Sequence, residues 1–93
     1  MTLQIQTFTA TSGITAHPSV QVSVPEGWKI LGGGAFDHWT GAGSLLTASF
    51  PLNDSTWFVA GKDHEIPSPA SITAYAIALQ RIEAVYKERE IFP

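Results

Sequence analysis

The chain has no cysteine, which removes disulfides, thiolate metal sites and cysteine nucleophiles together and suits a reducing compartment. Charge is scarce as well: Asp, Glu, Lys and Arg make up 14% of the 93 residues, so the surface must rely on Thr, Ser, Gln and Asn. Only five residues are basic (Lys29, Lys62, Arg81, Lys87 and Arg89), they form no cluster, and the net charge is −3. That leaves no electrostatic track for a phosphate backbone and excludes nucleic-acid binding. No apolar run approaches the roughly 18 residues of a membrane span. The opening Met1-Thr2-Leu3-Gln4-Ile5-Gln6 lacks the basic segment and apolar run of a signal peptide. As written, the chain is expected to stay in the cytoplasm where it is made, with secretion by another route left open.

What is present is core material. Apolar residues are 44% of the chain, and 93 residues make one domain able to bury somewhat more than about 60% of its unfolded surface, so residues 1–93 are read as a single β-rich unit. Residues 1–25 contain no Asp, Glu, Lys or Arg and alternate twice: Leu3 and Ile5 among polar neighbours, then Val20, Val22 and Val24 separated by Gln21 and Ser23. A period of two means strands with one wet face. Ser12-Gly13, His17-Pro18 and Pro25-Glu26-Gly27 supply turn chemistry between them. Trp28-Lys29-Ile30-Leu31 runs into Gly32-Gly33-Gly34-Ala35-Phe36, and glycines in a strand mark a bulge, a bend or a close backbone approach. Apolar runs follow at 44–50 and 56–60, with Pro51-Leu52-Asn53-Asp54-Ser55 read as the turn between them. The even spacing predicts an all-β fold, a small antiparallel sandwich, prism or barrel.

The segment 68–92 is ambiguous. Ser68-Pro69 fits a helix N-cap with proline at the first position, and Ile72, Tyr75, Ala76 and Leu79 fall at helical spacing. Yet residues 72–79 are apolar all round and rich in β-formers, as in a strand buried on both faces, and a strand to about Leu79 is the favoured reading. Residues 81–90 carry six charges and good helix formers, so a short C-terminal helix over the tail 81–93 is expected, with a closing strand the alternative.

The run Val24-Pro25-Glu26-Gly27-Trp28-Lys29-Ile30-Leu31-Gly32-Gly33-Gly34-Ala35, followed by Leu45-Leu46-Thr47-Ala48-Ser49-Phe50-Pro51, Trp57 and Ile72-Thr73-Ala74-Tyr75-Ala76-Ile77, resembles a small recurring bacterial β domain over residues 24–79. The resemblance implies strand rather than helix at 72–79. It also implies, in many members, a cysteine before the Pro-x-Gly turn and another ending the final strand; here those positions hold Val24 and Ala78. That departure fits a version held by apolar packing or by neighbouring subunits. The resemblance carries no activity.

Two Asp-His dipeptides, Asp37-His38 and Asp63-His64, are the sharpest chemical candidates, since four carboxylate and imidazole donors would suit a divalent metal. Adjacent residues of a strand face opposite sides, however, so each dipeptide offers one side chain to a shared site unless it lies in a loop, and solvated loop residues are the plainer reading. A hydrolytic set drawn from Ser44 or Ser49 with His38 and Asp63 lacks a Gly-x-Ser-x-Gly elbow. No catalytic residue is assigned and no cofactor is required. Gly32-Gly33-Gly34 lacks the context of a phosphate cradle. Of three tryptophans, Trp28 and Trp57 sit in apolar strand contexts and read as core, whereas Trp39 stands between Asp37-His38 and Thr40-Gly41-Ala42-Gly43 in a polar, glycine-rich loop. A loop aromatic flanked by hydrogen-bonding groups can hold a sugar ring; it can also cap a core or pack between subunits.

Two readings stay open. One is a non-catalytic, lectin-like carbohydrate-binding module with Trp39 as platform and Asp37, His38, Asp63 and His64 as polar contacts. The other is a self-associating structural or protein-interaction domain without a small ligand. In either, the two strands apolar on both faces predict a homo-oligomer.

Overall fold

The computed structural model describes residues 2–82. Six strands follow one another: β1 (Thr2–Thr11), β2 (Ser19–Ser23), β3 (Trp28–Asp37), β4 (Ser44–Asn53), β5 (Thr56–Asp63) and β6 (Ile72–Ile82). They form two three-stranded antiparallel sheets, ordered β1-β6-β3 and β2-β5-β4, so of the expected all-β forms the sandwich is the one adopted. Only β4 and β5 are joined as a hairpin; every other connection crosses from one sheet to the other.

Each turn follows from local chemistry. Gly27 has a φ of 94°, and the Trp28 N–H donates to the Pro25 carbonyl over 3.2 Å, which closes a turn that needs glycine at its third position. At the β4–β5 tip the Asn53 side-chain oxygen accepts from the Ser55 N–H (2.8 Å) and hydroxyl (3.1 Å). The turn proper is thus tighter than the Pro51–Ser55 segment suggests, and Pro51, Leu52 and Asn53 belong to β4. Proline is tolerated there because β4 is an edge strand and its register slips between Pro51 and Asn53.

Segment 72–82 is strand β6, the centre of its sheet, and no helix begins at Ser68. Arg81 and Ile82, assigned from composition to a terminal helix, pair instead with Leu3 and Thr2 of β1. Ladder pairing with a neighbouring strand overrides helix propensity in a short charged stretch. The remainder of the expected tail helix, residues 83–93, lies outside the described residues.

Between the sheets the core consists of Val22, Val24, Val59, Ile72, Ala74, Ala76 and Ala78. The inner face of β6 is narrow by composition: Ala74, Ala76 and Ala78 are fully buried, and Ala76 pairs with Gly33 on β3 and Phe8 on β1. Small residues there leave room for rings from the surrounding strands. Trp28 and Trp57 are half-buried against this core, Phe8 meets Trp28 edge-on with centroids 5.2 Å apart, and the Trp57 indole N–H donates to the Ser49 hydroxyl over 3.0 Å. The glycine run has two distinct uses. Register slips between Ile30 and Gly32, a bulge, while a Cβ on Gly33 would collide with the Trp57 ring and the Tyr75 carbonyl. Val24 and Ala78 both sit in the apolar core.

Candidate functional site

The β3–β4 loop (38–43) and the β5–β6 loop (64–71) meet at one end of the sandwich and are pinned together. The His38 N–H donates to the Ser71 carbonyl (3.0 Å), the His64 N–H to the Gly43 carbonyl (2.7 Å), and the Gly43 N–H to the hydroxyl of Ser68 (2.9 Å), itself 4% exposed. Contact between the loops is close: a Cβ on Gly41 would run into the Ser68 hydroxyl, and one on Gly43 into the Ile66 carbonyl. Glu65 takes a φ of 66°, a left-handed conformation that costs a non-glycine residue about 1 kcal/mol and turns the chain back so that the Ile66 N–H reaches the His64 carbonyl.

Ser68 carries the helix N-cap alternative of its segment, and no helix begins there. Its hydroxyl accepts from a backbone N–H, the same chemistry as an N-cap, but the N–H belongs to Gly43 on another loop. Pro67 and Pro69 on either side favour extended backbone before each ring and suit a strap rather than a helix start.

Strand alternation separates the two Asp-His dipeptides into their members. Asp37 ends β3 facing the interior, where its Oδ2 accepts from the Ser44 hydroxyl of β4 over 2.7 Å and so links the two sheets. Asp63 ends β5 directly opposite Ser44 in the β4–β5 ladder. Because the Asp63 N–H is directed to the Ala16 carbonyl and not toward β4, this is a non-hydrogen-bonded pair, whose side chains lie closest together. The Oδ1 atoms of Asp37 and Asp63 are buried with no hydrogen-bond partner among the described residues.

His38 points the other way. It lies 2.7 Å from the Thr73 hydroxyl, which is also 2.8 Å from that of Thr11, and its ring meets Phe36 edge-on at 4.7 Å. All four belong to the outer face of the β1-β6-β3 sheet, where Thr73 pairs with Thr11 on one side and Phe36 on the other. His64 is exposed on its loop. The four donors therefore do not converge, and among the described residues no group of three or more His, Asp or Glu side chains is placed to hold a metal. The serine set is dispersed as well: Ser44 is bonded to Asp37, Ser49 to Trp57, and His38 lies outside the sheet.

Trp39 is 65% exposed, so it does not cap the core. Its loop neighbours at this end, His64, Glu65 and Ile66, are exposed too. The result is a protruding indole on a loop held by two backbone hydrogen bonds and one to the Ser68 hydroxyl, with an imidazole and a carboxylate open to solvent on the loop it is pinned to. An open groove of about 330 Å³ lined by Lys29, Ile30, Pro51, Asn53 and Asp54 lies at the opposite end of the sandwich. Its lining contains no aromatic ring and offers no stacking surface.

The clamp itself is testable. Gly43→Ala is expected to force the two loops apart, costing about 1–3 kcal/mol of stability. Hydrogen exchange at the Gly43 and His64 positions should accelerate while the β6 amides, farther from the loop, stay protected; unchanged exchange at the loop would show that the contact is not tight.

Comparison with known proteins finds no matching family model, curated protein or solved structure.

Proposed function

We propose that this chain is a small non-catalytic binding module that holds the apolar face of a sugar ring on Trp39. The observation that supports the reading is the 65% exposure of an indole on a clamped loop. A large ring left in water gains nothing for folding, whereas a ring already held in position loses little conformational freedom when a ligand stacks on it. His64 and Glu65 stand on the adjoining loop as hydrogen-bonding groups for hydroxyls. Asp37, Asp63 and His38 support this arrangement from behind: the first is tied across the sheets to Ser44, the second lies beside that serine, and the third is fixed to Thr73.

A glycan-array screen on the full-length protein, repeated with chelator, tests the proposal. Binding is expected to survive chelator, and Trp39→Ala is expected to weaken it by about 10- to 100-fold, the equivalent of roughly 1.4–3 kcal/mol. The same variant should melt within about 1 °C to 4 °C of the parent, since exposed positions contribute little to stability. Glycan binding that Trp39→Ala leaves intact, or none at all across the array, would sink the reading.

A further inference from the structure

Strand β6 is built inside out for a monomer. Its buried inward residues beyond Ile72 are alanines, Ala74, Ala76 and Ala78, whereas Thr73, Tyr75, Ile77 and Leu79 turn to the outer face of the sheet. Outer-face neighbours continue the pattern: Leu3 and Ile5 on β1 are 57% and 64% exposed, and Leu31 and Phe36 on β3 are 59% and 50% exposed. Gly32 and Gly34, paired with Ile77 and Tyr75, add no side chains and leave the surface flat. A central strand apolar on both sides belongs to a sheet covered on both faces.

We infer that the outer face of the β1-β6-β3 sheet is the contact between two copies of this chain. Area supports that occupant: three strands of this length present a face on the order of 500 Å², so two copies would together bury roughly 1,000 Å² or more, about the least that a specific interface requires. Charge supports it too. Glu26, Asp37, Asp54, Asp63 and Glu65 lie in turns, in loops or between the sheets, so among the described residues no carboxylate stands on this face. The cations that border it, Lys29 and Arg81, pair with Leu79 and Leu3 toward one end. A two-fold axis lying in the plane of the contact and perpendicular to the strands sets those ends apart and lays each over the threonine-rich end of the other copy, Thr7, Thr9 and Thr11.

Sedimentation of the full-length chain across about 1–100 μM is expected to show a dimer. Ile77→Arg, at an exposed outer position, should raise the dimer dissociation constant at least ~100-fold by placing a charge in the contact, as should Ile5→Lys. Gln21→Arg on the other sheet should leave it unchanged, and circular dichroism on each variant separates dissociation from unfolding. A monomer throughout the range overturns the inference, including a monomer whose outer face is covered by its own residues 83–93. So does a dimer that tolerates both Ile77→Arg and Ile5→Lys, or one that Gln21→Arg dissociates.

Discussion

Gly33→Val is expected to destabilise the domain by about 3 kcal/mol, which for a chain of this size lowers the thermal midpoint by roughly 12–24 °C. The cause is local and rigid. A Cβ at this position meets the Trp57 ring on one side and a backbone carbonyl, that of Tyr75, on the other, so neither neighbour yields by a simple rotamer change. Trp57 is further held by its bond to Ser49, and moving it would open the space above the alanines of β6. Gly34→Ala is the matching control: open space surrounds its Cβ position, and a change below about 0.5 kcal/mol is expected. Thermal melts followed by circular dichroism decide the matter; equal melting of the two variants would show that Trp57 is free to move.

Ile72→Ala should cost about 2–5 kcal/mol, a large part of the 5–15 kcal/mol that holds a typical domain. Ile72 is fully buried and, with Val59, is among the largest completely enclosed side chains. The alanines that follow it on β6 cannot expand to fill the void, so the cavity term is expected in full. Urea titration would show a lower midpoint with an unchanged slope; a loss under 1 kcal/mol would mean that the sheets close over the gap.

These positions also show how far sequence reading reached. Alternation disclosed β2, whose valines face the core, whereas in β1 it marked a strand but not its dry side, since Leu3 and Ile5 stand exposed on the outer face; Pro25-Glu26-Gly27 disclosed its turn because only glycine readily takes the required φ. The glycine run announced a bulge or close approach, and both occur, but the collision partner of Gly33 is 24 residues away and leaves no local mark. Strand β6 was harder, for an apolar stretch without a wet side satisfies helical and extended spacing alike; its inward alanines and outward Ile77 and Leu79 become distinguishable only once a sheet lies on one side. At the candidate site, Trp39 was legible as a ring out of place among polar neighbours. Ser68 was not, because a buried hydroxyl serving a distant N–H looks in sequence like any serine before proline.

The strand order has a kinetic consequence. β1 and β3 never touch one another as ladder partners; each waits for β6, so Thr11 pairs with Thr73 across 62 positions and Thr2 with Ile82 across 80. Closing such spans costs chain entropy before any pairing repays it, which places folding in the millisecond-to-second range typical of non-local β topologies. On the ribosome, both outer strands of that sheet emerge well before the strand that unites them and meanwhile present bare edges, a window for aggregation that the β4–β5 hairpin, closing on its own neighbours, does not share.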